Sequence, residues 1–190
     1  MTSLESAFPG AKPLSGTVEV PARTSLLVVL LCWIAIFSEG YDVGVLGAIL
    51  PVLATDASWK LTPIELGAMG SYTLFGMLVG GILSGTLSDL YGRKPLFIGS
   101  LTLFATCMAV TAWAPTPAWF GASRLIAGLG LGGIIPVAAA LTIEYSPARR
   151  KSLNYGIMYS GYSAGILVAA LVAKALLPRS EEHTSELQSQ

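Results

Sequence analysis

The sequence predicts an all-α membrane protein with five transmembrane helices. Of its 190 residues, 53% are hydrophobic and only 12% are charged, and the mean hydropathy is +0.67. A soluble domain carries charge on about a quarter of its residues. The apolar residues form five long runs, each close to or longer than the roughly 20 residues that a helix needs to cross a bilayer. The formal net charge of zero gives no support for nucleic-acid binding.

Two terminal segments fall outside the apolar runs. Residues 1–24 mix prolines and glycines with polar residues, which predicts a disordered cytoplasmic tail. A signal peptide is the alternative, but the apolar run after Arg23 continues past any plausible cleavage site. Residues 179–190 turn abruptly polar after Pro178 and resemble one translated frame of a sequencing adapter. We interpret them as a non-native tail rather than a genuine hydrophilic one, and expect the natural gene to continue.

The first two predicted helices have distinct boundaries. The first covers about residues 25–53, more than a bilayer requires, so it must tilt or bend, and Gly40 is the expected point. The second begins at Thr62-Pro63-Ile64-Glu65, which combines an N-cap, a proline in the first turn and a capping-box acid. It ends near Ser88.

Three further helices complete the predicted transmembrane unit of residues 25–178. The third covers about residues 96–113 and is broken by Ala114-Pro115-Thr116-Pro117. The fourth covers about residues 118–145, and the fifth about residues 153–177. Glycines recur four positions apart in three of the helices, which predicts close helix packing and also suits a sliding surface. These pairs are Gly76/Gly80, Gly81/Gly85, Gly128/Gly132 and Gly161/Gly165.

The basic residues of the short loops predict the orientation. With the N-terminus inside, the outer loops hold only Lys60, whereas seven cations of the N-terminal tail and the other loops fall on the inner side. The inner cations are Lys12, Arg23, Arg93, Lys94, Arg149, Arg150 and Lys151. Membrane proteins concentrate such residues in cytoplasmic loops, so the sequence predicts a cytoplasmic N-terminus in the cell membrane.

Two acids lie deep within the first apolar run. Glu39 and Asp42 are three positions apart on one helical face, and Glu39 lies roughly 20 Å along the helix, near mid-membrane depth. Ionisable residues inside a membrane are costly and indicate function. Adjacent carboxyl groups shielded from water can exchange protons near neutral pH, which proton-coupled transport requires. The alternative is a structural polar pair satisfied by neighbouring helices.

A buried arginine accompanies the acids. Arg124 lies roughly 9 Å below the start of the fourth helix, where it can pair with Asp42 or hold a substrate carboxylate through a bidentate contact. A static ion pair without substrate contact is the alternative. Glu144 lies about 30 Å further along the same helix, at the cytoplasmic end. It is predicted to pair with Arg93 or Arg149 and to act as a latch together with Arg149 and Arg150.

Aromatic residues offer a lining for a ring-bearing substrate, although ordinary packing is the better explanation for them. The candidates are Tyr41, Tyr72, Tyr155 and Tyr159. Cys32 and Cys107 fall inside apolar runs and are expected to pack as small hydrophobic residues. No His, Cys and Asp cluster has metal-ligand spacing, so no metal site and no catalytic residue is predicted.

The turn between the second and third helices carries a motif. Gly85-x-x-x-Asp89-x-x-Gly92-Arg93-Lys94 resembles the signature loop between helices 2 and 3 of the major facilitator superfamily of secondary transporters. One position departs from that pattern, since Leu90 stands where the family usually has a basic residue. The resemblance implies that the motif residues act as a gating loop.

Further motifs narrow the resemblance. Glu39-Gly40-Tyr41-Asp42 is similar to the Asp-Gly-aromatic-Asp pattern of the aromatic acid:proton symporters, with Glu39 as a departure that lengthens the acidic side chain. Residues 144–151, followed by Gly161-x-x-x-Gly165, look like the helix 4–5 region of that subfamily. Arg124 with its following glycines resembles the helix-4 motif of the superfamily; those glycines are Gly128, Gly130 and Gly132.

The resemblance implies that the five helices are most of the N-terminal six-helix half of a twelve-helix carrier. The missing C-terminal half of the same carrier is then their structural partner. It implies symport of protons with aromatic or related organic acids, with Glu39 and Asp42 in proton coupling and translocation and no cofactor beyond the proton gradient. Drug:proton efflux and a sugar or metabolite porter stay open, although Ile166 stands where the efflux subfamily usually has proline. A non-transporting receptor or assembly subunit is a further alternative, against which the buried charges argue.

Overall fold

The computed structural model describes residues 21–55 and 59–176, which form five long helices and one short turn of 3₁₀-helix. The helices are α1 (Ala22–Thr55), α2 (Pro63–Tyr91), α3 (Arg93–Thr111), α4 (Pro117–Glu144) and α5 (Lys151–Leu176), and the 3₁₀ turn is Ala148–Arg150. All five helices are long and apolar enough to cross a membrane, which confirms the predicted fold class. α1 already includes residues 22–24 of the predicted tail. Residues 1–20 and the predicted adapter-derived tail lie outside the described residues.

The two helices that begin on the Lys60 side start with side-chain caps. Thr62 accepts a hydrogen bond from the backbone of Glu65, and the Glu65 carboxylate accepts one from the Thr62 backbone at 2.8 Å. Thr116 caps α4 in the same way, because its hydroxyl accepts from Trp119 N at 3.3 Å and Pro117 occupies the first turn. Caps of this kind satisfy backbone donors that a helix leaves unpaired.

A single residue joins α2 to α3. Gly92 caps the end of α2, donating its N–H to the Ser88 carbonyl at 3.0 Å, and also precedes the first residue of α3. Its φ of +85° and ψ of 159° lie in a region that residues with a side chain rarely adopt. Glycine at this position of the motif therefore has a conformational cause.

α4 lies at the centre of the bundle and contacts each of the other four helices. α1 packs mainly along α5, whereas α2 and α3 both pack mainly along α4. The largest fully buried apolar side chains come from α1, α4 and α5. They are Ile36, Leu131, Ile134 and Met158. The core therefore lies where α1 and α5 meet the middle of α4.

Glycines set the distance between the paired helices. The position of an added Cβ would meet the main chain of the neighbouring helix at most of the predicted glycine pairs: Gly76, Gly80, Gly128, Gly132, Gly161 and Gly165. α1 continues through Gly40, which packs against the Tyr162 main chain. Gly85 differs, because no described residue lies within 4 Å of that position. Within the described residues, the close-packing prediction is therefore wrong for Gly85.

Candidate functional site

An ion pair joins α1 to α4 inside the bundle. Arg124 Nη1 donates to Asp42 Oδ1 at 2.5 Å, and each side chain is only 2% exposed. The same Nη1 lies 3.7 Å from Met108 Sδ of α3, and the guanidinium lies 5.4 Å from the Phe120 ring centroid. The arginine is thus enclosed by a carboxylate, a thioether and an aromatic ring.

Glu39 lies one helical turn before Asp42 and is completely buried. Neither of its carboxylate oxygens has a hydrogen-bond partner within residues 21–55 and 59–176, and the same holds for Asp42 Oδ2 and Arg124 Nε. Buried polar groups are normally hydrogen-bonded, and one without a partner calls for an explanation such as a ligand, a water molecule or another chain segment. The three predicted residues therefore form a site with unused donors and acceptors.

A groove of about 290 Å³ between α1 and α3 borders this site on the Asp42 side. Its walls are mostly aromatic and apolar: Phe37, Tyr41, Val45, Phe104 and Met108, with Ser38 and Asp42. The sequence analysis did not single out Phe104 or Met108. The third apolar run contains no charged residue between Lys94 and Thr111, so nothing in its pattern marks the face that meets Asp42.

The aromatic candidates fall in three places. Tyr41 borders the Asp42 groove and stacks on Phe37 with ring centroids 6.5 Å apart. Tyr155 and Tyr159 stack on each other along α5 at 6.1 Å and are both partly exposed. Tyr72 lies against Gly121 in a separate groove between α2 and α4. Only Tyr41 among these four lines the groove beside the buried acids.

A second ion pair lies at the end of the bundle where α3 begins and α4 ends. Arg93 Nη1 donates to Glu144 Oε2 at 3.1 Å, with side-chain exposures of 46% and 54%. Arg149 and Arg150 are exposed in the 3₁₀ turn and form no ion pair within the part of the chain that the structure describes. The same is true of Asp89 and Lys94 in the α2–α3 turn. Glu144 is thus paired with the turn motif.

Five apolar helices around a buried carboxylate–guanidinium pair define a multi-pass membrane protein with a polar site in its interior. Residues 32–180 match the Major Facilitator Superfamily, and the chain belongs to that family. The resemblance to this family that the turn motif predicted is therefore confirmed, and the relatives described next are transporters rather than enzymes.

Relatives of known name support the subfamily. The chain is 38% identical over 91% of its length to the gentisate transporter of Corynebacterium glutamicum. It is 34% identical over 80% of its length to the benzoate transport protein of Acinetobacter baylyi, and 36% identical over 90% to the 4-hydroxybenzoate transporter PcaK of Pseudomonas aeruginosa. The matches cover 40%, 33% and 36% of those three proteins, so the chain spans little more than a third of their length.

Proposed function

We propose that this chain is the N-terminal part of a proton-coupled symporter that moves aromatic or related organic acids across the cell membrane. The observation that carries the proposal is the buried Asp42–Arg124 ion pair beside the unpartnered Glu39. The names of the relatives, which refer to gentisate, benzoate and 4-hydroxybenzoate, support the substrate class. The C-terminal half of the carrier is its structural partner, and the proton gradient replaces any cofactor.

The carboxylate of the substrate and the carboxylate of Asp42 compete for Arg124. A guanidinium binds a carboxylate best through two parallel hydrogen bonds, and Arg124 still has an unpartnered Nε–H. Protonation of Asp42 removes the counter-charge of Arg124, which then binds the carboxylate of an incoming acid. Loss of that proton restores the internal ion pair and expels the substrate. This exchange links one proton to one organic anion, and the aromatic walls of the Asp42 groove suit the ring.

Glu39 provides a second site for a proton. It lies one turn from Asp42 with no hydrogen-bond partner among the described residues. Because an unpaired charge in an apolar interior is costly, we expect Glu39 to hold a proton in the arrangement described here. It would lose that proton when the bundle opens and water reaches the carboxyl group.

The exposed Arg93–Glu144 pair serves as a latch that ties the gating loop to the end of α4. The gating loop consists of Gly85, Asp89, Gly92, Arg93 and Lys94. An ion pair in contact with water contributes about 0–1 kcal/mol, so it can open and close during a transport cycle. Arg149 and Arg150 lie close by in sequence and complete the latch with the other half of the carrier. The buried Asp42–Arg124 pair, in contrast, opens only when a proton neutralises Asp42 and a substrate carboxylate takes the place of Asp42 at Arg124.

The proposed orientation places the Arg93 end of the bundle in the cytoplasm. In a variant with Cys32 and Cys107 replaced by alanine, a cysteine at Lys60 should react with a membrane-impermeant thiol reagent in intact cells. Cysteines at Lys94 or Arg150 should react only after permeabilisation. Labelling at Lys94 from outside would contradict the orientation.

Uptake by the complete carrier tests the transport proposal. Cells that express the full-length gene should accumulate radiolabelled benzoate or a hydroxybenzoate, and a protonophore should abolish the accumulation. Empty-vector cells are the control, and radiolabelled glucose tests the competing substrate class. Accumulation that persists after collapse of the proton gradient would reject symport, and uptake of glucose alone would reject the substrate class.

A further inference from the structure

A second groove lies at the basic end of the bundle, where α1 and α5 begin. It has a volume of about 470 Å³ and shares no lining residue with the Asp42 groove. The side chains that form its apolar walls are Leu26, Val29, Leu30 and Trp33 of α1 and Ile157 of α5. Its polar lining residues are Ser25, Arg150 and Asn154. The groove is therefore apolar, with a cation and an amide among its lining.

The length of the groove matches half a membrane. Its α1 wall extends from Ala22 to Trp33, which is about 16 Å at 1.5 Å per residue. The hydrocarbon core of a bilayer is about 30 Å thick, so the groove reaches through about one leaflet. An acyl chain lying along α1 would thus be covered from the headgroup level to the midplane.

The charges at the groove suit an anion. Arg150 belongs to the 3₁₀ turn and lies between Arg149 and Lys151, both of which are exposed. Arg23 lies in the first turn of α1, next to the lining residue Ala22. The Asn154 amide donates to Ser146 Oγ at 2.8 Å, which holds it in place. Basic residues at a membrane surface attract anionic headgroups.

We propose that this groove binds one anionic phospholipid, with an acyl chain between α1 and α5 and its phosphate at Arg150. A polar ligand would gain nothing from the aliphatic walls, and a neutral lipid would gain nothing from the cations. The groove is separate from the Asp42 site, because the two share no lining residue. Arg150 also belongs to the proposed latch, so lipid binding is measured directly at Trp33 and not through transport.

Trp33 lines the groove and can report its occupant. In the full chain, Trp59, Trp113 and Trp119 are replaced by phenylalanine, and the protein is placed in phosphatidylcholine vesicles. Phosphatidylglycerol or phosphatidylcholine with brominated acyl chains is then added in increasing proportion. We expect phosphatidylglycerol to quench Trp33 at a mole fraction at least fivefold lower than phosphatidylcholine.

Arg150→Gln should reduce this preference about fivefold, because the variant lacks the side chain that is placed at the phosphate. Arg149→Gln is the matched control. It also removes one positive charge, but Arg149 does not line the groove. It should retain most of the preference. Circular dichroism of both variants tests that the helices are intact.

Four results would overturn the proposal. Equal quenching by the two lipids would mean ordinary lipid contact, and equal loss in the two arginine variants would mean general surface attraction. Relief of quenching by inorganic phosphate would indicate a phosphate site rather than a lipid site. Shielding of Trp33 from both lipids until residues 1–20 are deleted would identify the chain itself as the occupant.

Discussion

Asp42→Asn in the complete carrier should abolish accumulation of the organic acid driven by the proton gradient. The amide has nearly the shape of the carboxyl group but neither releases a proton nor balances Arg124, which is 2% exposed. Removing one partner of a buried ion pair costs about 3–5 kcal/mol. The variant therefore loses the group that carries the proton. It also loses the negative charge that pairs with Arg124 after the substrate leaves.

Companion variants separate coupling from folding. Asp42→Glu keeps a titratable group and should retain part of the accumulation, whereas Arg124→Ala should weaken binding of the anion. Glu65→Gln is the control, because this exposed acid caps α2 and glutamine can still accept the Thr62 hydrogen bond. Uptake of radiolabelled benzoate is measured at equal amounts of protein in the membrane. Normal, protonophore-sensitive accumulation by Asp42→Asn would show that this carboxylate does not couple transport.

Gly165→Ala should destabilise the bundle at the contact between α1 and α5. The added methyl group would meet the Phe37 carbonyl and the Tyr41 backbone nitrogen, and main-chain atoms cannot turn aside as a side chain can. Overpacking of this kind typically costs 1–3 kcal/mol. The free energy of unfolding of the chain, measured by circular dichroism in mixed micelles with increasing dodecyl sulfate, should fall by about that amount.

Gly156→Ala provides the comparison within the same helix. No described residue lies within 4 Å of the Cβ position at Gly156, so the methyl group meets no obstacle. Alanine is the better helix former by up to about 1 kcal/mol, and this variant should be as stable as the original chain or slightly more stable. If the two variants lost stability equally, close packing at Gly165 would not explain the effect.

Local chemistry and composition carried most of the fold prediction. Length and apolarity indicated five helices, and Thr62 with Glu65 marked the start of α2 because a capping box is a local arrangement. Asp42 and Arg124 lie in different apolar runs and have opposite charges. They were predicted as a possible ion pair because each charge is costly without a partner.

The remaining features depend on how the helices face one another. Phe104 and Met108 line the Asp42 groove, but a uniformly apolar helix gives no sign of which face turns inward. Tyr72 packs on Gly121, away from that groove, although its residue type fitted a substrate lining. Gly85 has the spacing of a packing glycine, but no described residue lies within 4 Å of its Cβ position. Which residues face a neighbouring helix is decided by tertiary packing, and the periodicity of the sequence does not predict it.

The single-residue joint at Gly92 has a mechanical consequence. One residue contributes only two soft dihedral angles, so the angle between α2 and α3 can change only through a hinge at Gly92. A tilt of α2 moves the first residue of α3, and that residue is Arg93, whose guanidinium touches Glu144 at the far end of α4. The angle between α2 and α3 is thereby converted into a distance at a contact exposed to water. A rotation too small to repack the interior would still lengthen or shorten that contact.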